Sequence, residues 1–229
     1  MSPRPKLITP LGSLQEAIIT TAWKQIAESG AASLSLRAIA RELNITAPAI
    51  YNYYPSRDDL VTALIIHAYT DFGDAQLAAV QAVPEGDLVG RLLAAGAAYR
   101  AWALAFPERF HLIFGTPLPG YVAPEETTLP VAARALTALL SVLDVLRDQG
   151  RLRMLPGQEI EPEKLALFEE RKRMGAEEDI ELLSIAVLIW SRVHGFVALE
   201  VSNNLPPYGT SPDTLYRYLL ESIIQEFML

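Results

Sequence analysis

The 229-residue sequence contains no cysteine, which excludes a disulfide framework, cysteine-ligated zinc or iron–sulfur centres, and thiol catalysis. Histidine is scarce: His67, His111 and His194 are the only three, without His-x3-His spacing, so no metal site is expected. Charged residues make up only 20%, and 19 Lys and Arg stand against 27 Asp and Glu, a net charge of −8. A chain this acidic does not bind nucleic acid or anionic membranes by bulk charge, which leaves a local basic face as the only electrostatic route. Long apolar runs are lacking as well. The run 92–99 is far shorter than the roughly 20 residues of a membrane span, so no membrane partner is expected. Arg4 and Lys6 make the N-terminus basic without an apolar h-region behind them, so a cytoplasmic protein is expected. A glycine-rich phosphate loop, a nucleophile elbow and a metal box are all missing, so neither enzymatic activity nor a cofactor is expected.

What is present is apolar and helical. Hydrophobic residues make up 51% of the chain, enough for a sizeable core. Apolar periodicity predicts helices over 13–29, 35–43, 46–54, 56–82, 87–105, 107–114, 127–149, 163–174, 177–203 and 211–228. No stretch alternates with period two, so the expected fold class is all-α. The stretches 115–130 (Pro117, Pro119, Pro124, Pro130) and 205–212 (Pro206, Pro207, Pro212) read as breaks, because proline lacks an amide and clashes with the preceding turn. The charge-dense segment 151–179 reads as a loop plus a short solvated helix, with no function legible in it. Residues 1–57 hold six basic side chains against three acidic ones, a net +3, which leaves −11 on the remainder. A basic head on an acidic body implies two tasks.

The head marks its helix starts clearly. Ser13 with Glu16, and Ser56 with Asp59, have capping-box spacing. Ser35 precedes a helix whose Leu36, Ile39, Ala40 and Leu43 share a face. Asn44 follows as the turn residue expected to adopt the left-handed conformation, and Thr46 is the expected cap of a very short helix. Two short helices joined by a tight turn and braced by a longer one make the helix-turn-helix plan, whose second helix lies in the DNA major groove. Ala47, Pro48, Ala49 and Asn52 are the candidates for base edges: small side chains admit thymine methyls, and Asn can pair bidentately with adenine. Thr46, Tyr51 and Tyr53 offer hydroxyls for phosphates. Arg57 and, similarly, Arg37 and the capping Ser35 stand at helix starts, where free amides and positive charge can share a phosphate.

Residues 34–60, Leu-Ser-Leu-Arg-Ala-Ile-Ala-Arg-Glu-Leu-Asn-Ile-Thr-Ala-Pro-Ala-Ile-Tyr-Asn-Tyr-Tyr-Pro-Ser-Arg-Asp-Asp-Leu, resemble the DNA-binding domain of the tetracycline-repressor (TetR) family. The match rests on Thr46, Ile50-Tyr51, Tyr54, Pro55-Ser56 and Arg57. Asn44 stands where the family commonly has Gly, and Tyr53 where it commonly has His. The resemblance implies phosphate contacts by Thr46, Tyr51, Tyr53 and Arg57, and core positions for Ile50 and Tyr54. It also implies an all-helical homodimeric regulator that represses transcription from a pseudo-palindromic operator and leaves DNA when a small ligand binds its second domain. The expected domains are therefore 1–55, binding DNA, and 56–229, binding ligand and a second copy.

Within the body, Tyr99, Trp102, Phe106, Phe110 and Phe114 cluster in sequence, and Trp190 and His194 share a helix face. They are the expected walls of a mostly apolar effector cavity; the plainer reading is a hydrophobic core with a hydrogen-bonded histidine. Trp190 through His194-Gly195 also resembles a C-terminal subgroup of the same family marked by Trp, His and Gly, with Gly195 expected to admit close helix approach. The helices 180–203 and 211–228 carry more apolar surface than one core needs, so a homodimer packed as a four-helix isologous interface is expected. The alternative is a helix-turn-helix regulator whose body binds a protein partner and senses no small molecule.

Overall fold

The computed structural model describes residues 11–153, 180–207 and 209–229; the helix expected over 163–174 and most of the charged 151–179 segment lie outside them. Among the described residues the fold is all-α. The helices are α1 (Leu11–Ser29), α2 (Leu36–Glu42), α3 (Ala47–Tyr51), α4 (Arg57–Gln81), α5 (Leu88–Ala105), α6 (Pro107–Phe114), α7 (Glu125–Arg134), α8 (Thr137–Asp148), α9 (Ile180–Val201) and α10 (Pro212–Phe227). The only extended pairing among the described residues is an isolated antiparallel bridge, Leu152 with Met228.

The described chain divides into two compact units. The first contains the chain up to Tyr69 together with Phe106–Ala132, and the second contains Thr70–Ala105 and the chain from Ala133. The division falls inside the continuous helix α4, not at the 55/56 turn, and the first unit recruits α6 and most of α7.

In the first unit, Ile18, Ala22 and Ile26 of α1 are buried along one stripe, as are Leu36, Ile39 and Ala40 of α2. The Ser35 hydroxyl accepts from the Ala38 amide at 3.3 Å, and the Ser56 hydroxyl accepts from the Asp59 amide at 3.1 Å. Asn44 takes the left-handed conformation, φ 54°. Helix α1 begins at Leu11, so Ser13 lies within it and does not precede it as a cap. Helix α3 is shorter than the expected 46–54, ending at Tyr51 with Asn52 as its C-cap.

In the second unit α5 packs on α8, α9 and α10, and α9 packs on α8 and α10. Asp87 accepts from the Gly90 amide at 2.8 Å to start α5, and Ser211 accepts from the Thr214 amide to start α10. By length and composition α9 could cross a bilayer, which the run-length reading missed; here it packs on three helices and ion-pairs through Arg192 and Glu200.

Two expectations between the units need correction. Pro130 lies inside α7, not in a break. The carbonyl that its missing amide would engage belongs to exposed Glu126, so water can satisfy it and the usual penalty is reduced. The single helix expected over 127–149 is interrupted after Arg134 and restarts at Thr137. The Ala135 carbonyl released there accepts from the Gln76 side chain at 3.4 Å.

Candidate nucleic-acid interface

Helix α3 is pinned from below and open above. Ile50 is fully buried and Tyr54 nearly so, which leaves Pro48, Tyr51 and Asn52 exposed, with Ala47, Ala49 and Tyr53 half-buried. Thr46 stands at the N-cap position, but its hydroxyl makes no capping bond. That separates it from Ser35 and Ser56, whose hydroxyls are engaged with backbone amides. Pro48 near the start of α3 removes one amide that would otherwise need a partner.

The starts of α2 and α4 and the end of α3 converge on a shallow notch lined by Ser35, Arg37, Tyr51, Ser56 and Arg57. Side chains from three helices thus meet in one polar concavity. The Arg57 guanidinium is already used in part: it donates to the carbonyls of Ala31 at 3.0 Å and Ala32 at 3.2 Å. It therefore holds the α1–α2 connection as well as facing the notch. Sequence reading had no signal for that second role, because the partners are 26 and 25 positions away. Arg37 is exposed beside it.

The residues expected around an effector cavity are divided between the units. Phe106, Phe110 and Phe114 belong to the first: Phe110 packs on Phe114 at 5.2 Å, Phe114 meets the edge of Tyr69 at 5.7 Å, and Arg109 stacks over Phe106 at 4.1 Å. Tyr99, Trp102, Trp190 and His194 belong to the second. There Tyr99 hydrogen-bonds His194 Nδ1 at 2.8 Å, and Trp190 stacks on His194 with centroids 4.8 Å apart. Trp102 is buried on Phe72 and donates to Asp71 at 2.8 Å. Tyr99 and Trp190 reach a half-enclosed apolar cavity of about 50 Å³, whose walls also include Gln76, Leu139, Val193 and Leu220. Gln76 was not singled out in the sequence. Its signal was there: Ala68, Phe72, Gln76 and Val80 recur every four residues and all are buried, so the amide interrupts an apolar stripe. Among the described residues no group of three or more His, Asp or Glu is placed to hold a metal ion.

Burial lowers the His194 imidazole below its ordinary value of 6.5. A histidine held neutral by the fold contributes stability fully above the unfolded value, and loses it as pH falls below about 6.5 toward the lowered one. The drop in Tm between about pH 7.5 and pH 5.5 is therefore expected to shrink in His194→Gln. An unchanged drop would remove His194 from the acid response.

With that geometry in place, comparisons with known proteins fall into line. Residues 18–64 match the family described as "Bacterial regulatory proteins, tetR family", and residues 92–223 match "Tetracyclin repressor-like, C-terminal domain". The chain is 32% identical to the helix-turn-helix-type transcriptional regulator Rv1816 of Mycobacterium tuberculosis, over 82% of this chain and 80% of that one. The crystal structure of SCO4313, described as a regulatory protein, superposes with a TM-score of 0.74 at 30% identity, covering 93% of this chain and 96% of the other. The TetR family transcriptional regulator PfmR of Thermus thermophilus shares the fold at 15% identity, with a TM-score of 0.58 over 91% of this chain and 97% of its own. Both family matches and the likeness to Rv1816 lead to one conclusion: this chain belongs to the TetR family of DNA-binding transcriptional regulators.

Proposed function

We propose that this TetR-family regulator is a repressor that binds a pseudo-palindromic operator as a homodimer and leaves it when a small, mostly apolar effector enters the second unit. The observation that carries the reading is the outward face of α3 beside the notch of Ser35, Arg37, Tyr51, Ser56 and Arg57. In this reading Pro48, Ala47, Ala49 and Asn52 meet base edges, while Ser35, Arg37, Thr46, Tyr51, Tyr53 and Arg57 meet phosphates.

The homodimer reading is supported by apolar surface on the last two helices. Leu188 and Leu199 on α9, and Leu215 and Tyr218 on α10, are exposed. Gly195 shares the α9 face with Leu188 and Leu199, and a Cβ at Gly195 would meet nothing within 4 Å. Such a face admits the close approach of a second copy. The response to effector runs along α4, the helix that carries Arg57 in its first turn and Gln76 toward its other end. An effector shifts the DNA-binding equilibrium only by its differential affinity for the two states.

Selection of bound sequences from random duplex DNA tests the reading, with recovery of one palindromic motif as the expected result; recovery of none would overturn it. On the selected site, Tyr51→Phe removes one charge-assisted hydrogen bond to a phosphate and should weaken binding about tenfold or more regardless of sequence. Arg37→Ala should lower the salt slope by about 1, whereas Asn52→Ala should relax base preference and leave the slope unchanged. Anisotropy titrations at several salt concentrations separate the three.

A further inference from the structure

Gln76 is not explained by an apolar core. It is 4% exposed, and its amide nitrogen donates to the carbonyls of Phe72 at 3.2 Å and Ala135 at 3.4 Å. Those two bonds use both amide protons and fix which end of the side chain is nitrogen. No protein donor among the described residues is bonded to the amide oxygen, which is not fully enclosed and so is open to a donor from outside the chain. Gln76 lines the cavity of the second unit, so its oxygen is the acceptor presented there.

We propose that this cavity binds a neutral hydroxyl compound, an alcohol or a phenol, whose O–H donates to Gln76 Oε1. The inference rests on the effector reading above and names the chemistry of the ligand. The remaining walls are apolar or aromatic, among them Leu92, Leu93, Leu139, Ile189, Val193 and Ile224, and no charged side chain lines the cavity. A carboxylate or an ammonium would be stranded there without a counter-charge. An open amide acceptor calls for a donor on the ligand. A cavity of about 50 Å³ exceeds the roughly 10–15 Å³ that one water needs, so it takes the hydroxyl end of a small molecule, with the apolar body against walls such as Leu220 and Ile224.

Phenol and toluene separate this site from a merely greasy one. The two have nearly the same shape, but an apolar cavity without an acceptor prefers toluene, because phenol must give up its hydrogen bond to water. Isothermal titration calorimetry on the full chain should show phenol binding at least as tightly as toluene. Gln76→Leu should weaken phenol about tenfold, the equivalent of one buried hydrogen bond, and leave toluene within about twofold. Ala95→Leu fills the cavity from another wall without touching Gln76 and should abolish binding of both. Failure of wild type to bind phenol, a strong wild-type preference for toluene, or equal phenol affinity in Gln76→Leu would each overturn the proposal. If Gln76→Leu does not fold, the wild-type preference and Ala95→Leu decide. The effector reading is scored separately, by whether phenol lowers affinity for the selected operator. Phenol binding with no change in DNA affinity supports the site and overturns the effector reading, whereas absence of phenol binding overturns the site alone.

Discussion

Replacing Gly195 with arginine is expected to convert a dimer into a monomer and to lower operator affinity by at least about a hundredfold, since two linked half-site contacts gain roughly 10²–10⁴ over one. The substitution is mild within the protomer. Gly195 lies on the exposed face of α9, and a Cβ there meets nothing within 4 Å. Arginine also has the higher helix propensity, by close to 1 kcal/mol, so the isolated fold should not weaken. Against a symmetry mate, the same side chain places two like charges and two long stems where helices would touch. Light scattering gives the mass and a melting curve checks the fold. A variant that stays dimeric at micromolar concentration would place the interface elsewhere.

The second large effect concerns the clasp joining α5, α9 and α10. Arg100 makes two hydrogen bonds to Glu200, both at 2.6 Å, and a third contact to Asp213 at 2.7 Å. The Arg100 and Glu200 side chains are only 16% and 12% exposed. Hydrogen bonding to Glu200 holds the guanidinium firmly protonated. Its neighbour Tyr216 donates to the Gly96 carbonyl, and burial pushes that phenol well above its ordinary value. Glu200→Ala leaves a buried cation with only the exposed Asp213 to balance it, at an expected cost of about 3 kcal/mol. For a chain of this size that corresponds to a fall in Tm of roughly 6–12 °C. Removing both charges, as in Arg100→Met with Glu200→Leu, should recover most of the loss. A loss below about 1 kcal/mol in Glu200→Ala would show that the clasp contributes little to stability.

Sequence reading succeeded where the determinant is local. Ser35, Ser56 and Asn44 act on residues within a few positions, and the helices they bound fall within a residue or two of expectation. It failed where a distant partner decides. The interruption between α7 and α8 is partnered by Gln76, 59 positions earlier. Arg57 looked like a pure phosphate ligand, yet it also holds Ala31 and Ala32. Phe106, Phe110 and Phe114 are adjacent in sequence to Tyr99 and Trp102, but Pro107 starts a new helix and the chain enters a different unit. For the candidate DNA surface, the short helix and its N-terminal boundary at Thr46 were legible in the pattern, but its end was not, and the Thr46 hydroxyl makes no capping bond. For the cavity, Tyr99 and Trp190 were legible as aromatic residues on apolar helices, whereas the expected Trp102 and His194 are not among its walls. Gln76 was not legible, because one amide in a stripe announces burial without revealing which of its atoms finds a partner.

The first unit's assembly from two stretches of chain sets a rule for recombinant regulators. Trp23 lies under the Arg109 guanidinium at 5.3 Å, Thr62 shares a hydrogen bond with Tyr121 at 2.9 Å, and the Tyr69 hydroxyl reaches the Ile113 carbonyl at 3.1 Å. A chimera spliced at the turn before α4 would set a foreign α1 against Arg109, and would divide the unit that the splice is meant to transplant. The compact first unit consists of the chain through Tyr69 together with Phe106–Ala132, so a graft that keeps it whole calls for three junctions in the gene's coding order and not one.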